Sequence, residues 1–279
     1  MRLAGADAPR DRTGVADPAQ AVVVTRIAIL HPGQMGAAVG RALSDVGHHV
    51  GWLPAGRGPG TRRRAEEAGL HPLRDLDDRE FVFSICPPAA ALDTARAVAG
   101  FPGVYVDANA ISPATAGAVA TVIRDAGGQY VDGGVIGPPP RLAGTSRLYL
   151  SGRLATTVAD VFAGTRIETV VLEGGDVAAS ALKMTYAAWT KITAALLVSL
   201  RRAAQDLGVE DALVAEWARS QPDLAARYAA ALDAATHKGW RWTAEMREIA
   251  LTLVEAGEPA GFADAAAQQF SQWPRPADA

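Results

Sequence analysis

The sequence predicts an α/β domain on a mainly parallel, doubly wound sheet, followed by an all-α domain joined to it by a long helix. Three observations carry this. From residue 26 to about 135, short apolar runs alternate with Ala-rich helical stretches, an order that needs crossover connections and a sheet covered on both faces. After Pro138-Pro139-Pro140 the alternation fades, and the last third of the chain is helical throughout. Between them, from Asp176 to about Leu207, there is no Gly or Pro. As a helix that run would be about 45 Å long, enough for a spine between two domains. The expected division is a flexible tail over 1–24, an α/β domain over 25–175 and a helical substrate and dimerisation domain over 176–279.

The elements follow in order. Strands are expected at 26–30, 49–53, 81–85, 103–107 and 129–132, with helices at 34–46, 61–68, 88–99 and 113–126 between them. The runs FVFSI and GVYVDA suit strands buried on both faces. Pro88 opens one helix, and Ser112-Pro113 caps and opens another. Residues 148–150 and 169–172 read as strands around a short helix. Beyond the long helix, further helices are expected near 209–219, 222–235, 242–256 and 260–272.

Composition narrows the function classes. Of 279 residues, 49% are hydrophobic and 20% charged, a globular profile. A formal net charge of -3 gives no reason to expect nucleic acid. The single cysteine, Cys86, excludes an internal disulfide framework and fits a reducing compartment. Asp7, Arg10, Asp11 and Arg12 without a long apolar run ahead of them predict no secretory signal. Lys183, Lys191, Arg201 and Arg202 interrupt the long helix and remove a transmembrane reading. A soluble, cytoplasmic protein is expected. The five histidines, at 31, 48, 49, 71 and 237, show no metal-ligand spacing, and no nucleophile signature is present.

Candidate chemistry begins at residues 26–43, RIAILHPGQMGAAVGRAL, read as strand, tight loop and helix. Glycine in such a loop lets backbone N–H groups at the helix N-terminus approach a pyrophosphate. The pattern is G-x-G-x-x-G with the first glycine replaced: His31, Gly33, Gly36. The His31 ring would stack or hydrogen-bond near the phosphates, or merely tolerate the turn. Beyond the second strand no Asp or Glu lies between Asp45 and Glu66, where an acidic residue would receive a ribose 2′-hydroxyl. Arg57, Thr61 and Arg62 to Arg64 stand there instead, and guanidinium groups suit a 2′-phosphate. A dinucleotide here would be NADP(H), with Arg57 as the preferred phosphate ligand.

Further segments fall into register: Ser84-Ile85-Cys86-Pro87-Pro88, VDANAISPATA at 106–116, YVDGGVIGPPP at 130–140 and ALKMTYAAWTK at 181–191. With the glycine loop, this order resembles the β-hydroxyacid dehydrogenase superfamily. That superfamily includes 6-phosphogluconate dehydrogenases and imine reductases, and the likeness is greatest to a branch with a short C-terminal helical domain. The resemblance implies a Rossmann domain binding NADP(H), a helical domain and a homodimer packed through the C-terminal helices. By motif, Gly33, Gln34, Met35 and Gly36 would cradle the pyrophosphate. Cys86 and Pro87 would lie by the nicotinamide, and Asn109 near its ribose. Lys183 matches the family's catalytic lysine, which relays a proton to or from the substrate oxygen as hydride moves. On its own residues, a lysine between Leu182 and Met184 on an Ala-rich helix would lose hydration in a cleft, which lowers its pKa.

The chain also departs from that pattern. Tyr186 and Ala187 replace two asparagines, and Ile136 falls in the segment whose serine holds a substrate carboxylate. Arg247 falls where a second lysine is expected. The substrate side is therefore expected to be less polar, formed by Gly134 and Ile136 with Tyr186, Trp189 and Trp242. The expected function is NADP(H)-dependent hydride transfer to or from a small carbonyl or alcohol, with Lys183 as proton relay and no metal. Its rivals are an imine reductase on the same fold and a non-catalytic NADP-binding module.

Overall fold

The computed structural model describes residues 23–275. The tail expected over 1–24 lies outside them, apart from Val23 and Val24. Eight strands among the described residues form one sheet: β1 (Arg26–Ile29), β2 (His49–Trp52), β3 (His71–Pro72), β4 (Phe81–Ser84), β5 (Val104–Asp107), β6 (Gln129–Ile136), β7 (Arg147–Ser151) and β8 (Glu168–Val171). The spatial order is β3-β2-β1-β4-β5-β6-β7-β8. All neighbours pair in parallel except β6 and β7, so the last two strands run against the rest. Chain order reverses between β1 and β4, which makes the C-terminal ends of those strands a topological switch point, where open α/β sheets form their ligand crevice.

Strand alternation explains how the sheet buries both faces. Ile27 and Ile29 point into one core with Phe83, Val106 and Val131. Ala28 and Leu30 point into the opposite core with Val82, Tyr105 and Tyr130. The covering helices are α1 (Gln34–Ser44), α2 (Pro59–Glu67), α3 (Ala91–Ala97), α4 (Pro113–Asp125) and α5 (Ala155–Val161). Ser112 caps α4 as its sequence suggests, its hydroxyl accepting from the Thr115 N–H at 3.2 Å.

The sheet departs from expectation at β6, which runs on to Ile136 instead of stopping near 132. Gly133 and Gly134 carry no side chain to show alternation, and they are needed. A Cβ on Gly134 would sit 2.9 Å from the Ala179 carbonyl oxygen and 3.0 Å from the Lys183 Cβ. The glycine lets α6 (Ala178–Asp206) lie directly on the strand. The first turn of α6 is fixed there by Asp132. Its carboxylate accepts from the Ser180 N–H at 2.8 Å, the Ser180 hydroxyl at 2.6 Å and the Ser151 hydroxyl at 3.0 Å.

The helical domain is completed by α7 (Glu210–Ser220), α8 (Leu224–Glu255) and α9 (Gly261–Phe270). The helices expected at 222–235 and 242–256 are one 32-residue helix, α8. The sequence suggests a break because 236–241 are polar apart from Gly239 and Trp240, and an interior glycine costs helix stability. Packing overrides that propensity: Gly239 is buried, and a Cβ there would meet the Trp273 side chain at 3.3 Å. A third core joins Met184, Ala187, Ala195 and Val198 of α6 to Met246 and Ile249 of α8 and Phe270 of α9. No helix among the described residues is long and apolar enough to cross a membrane.

Candidate active site

The crevice at the switch point is walled by the loops after β1, β4 and β5 on one side and by α6 and α8 on the other. A cavity of about 350 Å³ lies in it. The α/β domain contributes Met35, Ile85, Cys86, Pro87, Pro88, Ala108, Ala110 and Val135, and the helical domain contributes Lys183, Trp240, Arg241, Ala244 and Glu245. The fold thus brings Met35, Cys86, Pro87 and Lys183 together across about 150 residues of sequence.

Lys183 is held with its stem against Gly134, partly buried. Burial lowers its pKa to about 8; Lys191 pushes the same way, and Glu245 opposes both. Glu245 is ion-paired with Lys191, with 13% and 19% of the lysine and glutamate side chains exposed. The carboxylate that acts on Lys183 is therefore already engaged by Lys191, and the Lys183 ammonium is left weakly compensated.

Asn109 joins the ends of β4 and β5. Its side-chain oxygen accepts from the Cys86 N–H at 2.6 Å and its amide donates to the Ser84 hydroxyl at 3.0 Å. Its own N–H donates to Asp107 at 3.1 Å. Asn109 thereby fixes the turn that carries Cys86 and Pro87. Asp107 is fully buried, and desolvation raises its pKa to about 7; the neighbouring Asp132, its register partner on β6, pushes the same way. Burial also raises the Cys86 thiol, which stays protonated and unreactive near neutral pH.

At the other end of the crevice lies the loop of residues 31–36. Gly36 sits against the loop's own start, where a Cβ would be 2.2 Å from the His31 carbonyl oxygen. A Cβ on Gly33 would meet nothing within 4 Å, so the α1 N-terminus faces open space. The first turn of α1 has no acidic residue. Arg57 donates to the Leu30 carbonyl at 3.2 Å, while its buried Nε has no partner. Arg62 bridges the Arg57 and Pro54 carbonyls, at 3.1 and 3.0 Å. Thr61 accepts from Arg64, whose Nε reaches the Pro32 carbonyl at 3.3 Å. The His31 Nδ1 is also buried without a partner, and burial with the charge of Arg57 lowers its pKa to about 4. Open glycine, helix N-terminus and the unpartnered Arg57 N–H, with the His31 imidazole beside it, make a phosphate-accepting cradle, so these residues fit a nicotinamide dinucleotide.

Other expected substrate-side residues lie elsewhere. Ile136 is buried at the end of β6 and does not line the cavity. Tyr186 and Trp189 are 46% and 65% exposed on α6. Trp189 and Trp242 line a second cavity, of about 550 Å³, between α6 and α8. Gly134 is near the site through its contact with Lys183. Arg247 is exposed, whereas Glu248 beside it accepts from the Ser112 N–H and the Thr115 hydroxyl, both at 2.8 Å, and links α8 to the start of α4. Among the cavity residues that sequence reasoning missed are the four from α8, Trp240, Arg241, Ala244 and Glu245, because the break expected near residue 240 hid which face of α8 turns toward the crevice.

Residues 204–273 match a domain of unknown function, DUF1932. An uncharacterised 28.5 kDa protein of Methanothermus fervidus is 31% identical over 166 residues, 57% of this chain and 63% of that protein. The chain thus aligns with less than two thirds of that relative's length. A solved protein of unknown function, described as structurally similar to 3-hydroxyacid dehydrogenases, superposes with a TM-score of 0.69 at 28% identity, covering 88% of this chain and 96% of that one. A Mycobacterium tuberculosis 3-hydroxyisobutyrate dehydrogenase gives 0.64 at 19% identity, covering 90% and 94%. An Aspergillus terreus reductive aminase solved with NADPH and ethyl levulinate gives 0.54 at 16%, covering 90% and 93%. The last two are likenesses of fold.

Proposed function

Because the chain belongs to the superfamily of 3-hydroxyacid dehydrogenases and imine reductases, and carries a DUF1932 domain at its C-terminal end, we propose that it is an NADP(H)-dependent oxidoreductase acting on a small carbonyl or alcohol. The observation that carries this reading is the meeting of Lys183 with Met35, Cys86 and Pro87 in one cavity at the switch point. When bound, the nicotinamide supplies or accepts the hydride. In the proposed arrangement Gly33, Gln34, Met35 and Gly36 hold the pyrophosphate, with Arg57 and the Thr61–Arg62 turn on the adenosine side. Asn109 keeps Cys86 and Pro87 at the nicotinamide end.

Lys183 holds the proton at the substrate oxygen and gives it up or takes it back as the oxidation state changes. A pKa of about 8 leaves both its forms populated near neutral pH, which is what a proton relay requires. Apolar walls from Ile85, Pro88 and Val135 exclude water, and Trp240, Arg241 and Glu245 complete the substrate side. We further propose a homodimer packed through the C-terminal helices.

The test is NADPH titration followed by nicotinamide absorbance with a panel of carbonyl and imine substrates. Wild-type protein is expected to bind NADPH and oxidise it with a carbonyl. Lys183→Ala should keep NADPH affinity but lose roughly 100-fold or more in turnover. Tight binding without oxidation across the panel would point to a non-catalytic module, and turnover of imines alone to an imine reductase.

A further inference from the structure

His31 stands where a glycine would let the loop pass without a side chain, and the proposed chemistry does not use it. Its ring is placed by two neighbours in sequence: Leu30, whose carbonyl accepts from Arg57 at 3.2 Å, and Pro32, whose carbonyl accepts from Arg64 at 3.3 Å. The end of β1, the loop after β2 and the last turn of α2 therefore meet at the two residues that flank His31. The His31 Nδ1 and the Arg57 Nε are both buried, and neither has a hydrogen-bond partner. A guanidinium N–H and an imidazole nitrogen, each buried without a partner, cost stability unless something answers them.

The charges around the ring are one-sided. Arg57 acts on it from the loop after β2, Arg64 of α2 reaches the neighbouring Pro32 carbonyl, and Arg62 is bound to the Arg57 carbonyl. Cys86, across the crevice, is a neutral thiol. No carboxylate among the described residues is hydrogen-bonded to Arg57, Arg62 or Arg64. An anion with several acceptor oxygens is the ligand such a set would recognise.

We propose that His31 is, with Arg57, a ligand of the 2′-phosphate that distinguishes NADP(H) from NAD(H), and that it takes up a proton from solvent when that phosphate binds. The inference rests on the NADP(H) reading above. In the free protein the imidazole is neutral at ordinary pH. A phosphate dianion beside it opposes the field of Arg57 and favours the imidazolium, which then donates a charge-assisted hydrogen bond. The sign follows: a pKa raised by binding makes binding tighter as pH falls through the bound-state value, with at most one proton taken up. Protonation of the phosphate itself, near pH 6, works the other way, so the contribution of His31 is the difference between wild type and variant.

Calorimetric titration with NADPH and with NADH, at about pH 6.5 in buffers of differing ionisation enthalpy, measures that proton directly. Wild type, His31→Gln and His31→Gly are compared. The expected result is proton uptake on NADPH binding that exceeds the uptake with NADH and is lost in both variants. NADPH affinity should fall about tenfold in the variants, while NADH affinity, which doubles as the folding control, stays unchanged. Unchanged proton uptake in the variants, or equal losses for NADPH and NADH, would overturn the role of His31. Wild-type protein that does not prefer NADPH to NADH would overturn the NADP(H) reading itself, and the inference with it.

Discussion

At the scale of single residues, Lys183 shows how a fold can weaken a base without an acid to help. Its pKa falls from 10.5 to about 8 chiefly through burial. A lysine whose folded-state pKa is depressed costs stability wherever it must be charged, below about pH 8, and the cost is relieved as pH rises from 8 toward 10.5. Lys183→Met is therefore expected to be more stable than wild type at neutral pH, by an amount on the order of 3 kcal/mol. That advantage should shrink steadily above pH 8, as read from urea midpoints across the pH range. Lys183 was legible in the sequence because its motif could be matched, as was the glycine loop. Arg241 and Glu245 were not, since their place in the cavity depends on the continuity of α8 through Gly239.

At the scale of elements, the sheet was legible wherever apolar residues form an unbroken run, as in Ile27 to Leu30, and illegible where side chains vanish, at Gly133 and Gly134. The two-residue β3 was too short to leave a pattern. The seat of α6 on β6 was also hidden, because Asp132, Ser151 and Ser180 are brought together only by the reversal of β7. Asp132 is buried, and desolvation raises its pKa against the pull of those donors. Removing it would leave the Ser180 N–H and the Ser151 and Ser180 hydroxyls without that acceptor. Asp132→Ala is accordingly expected to cost about 2–4 kcal/mol. Hydrogen exchange should show the loss concentrated in the amides of the first turn of α6, with those at its far end little changed.

At the scale of the whole molecule, the helical domain leaves apolar surface uncovered. Tyr186, Trp189, Leu196 and Leu200 are 46%, 65%, 55% and 44% exposed, and their spacing sets them on one face of α6. A contiguous apolar face on a folded protein marks an interaction surface. The proposed homodimer would use it, so a Leu196→Glu, Leu200→Glu double variant should elute as a folded monomer where wild type elutes as a dimer, with mass set by light scattering.

Glu248 has a consequence for how such a molecule breathes. One carboxylate on α8 completes the start of α4, so the helical domain supplies part of a cap that α4 would otherwise lack. Swinging the domains apart along that seam would remove the Glu248 carboxylate and leave Ser112 to cap α4 alone, whereas motion hinged on that seam would keep both. An opening of the crevice is therefore expected to hinge at the Glu248 seam and to widen the cavity between Trp240 and Arg241 on one side and Pro87 and Pro88 on the other.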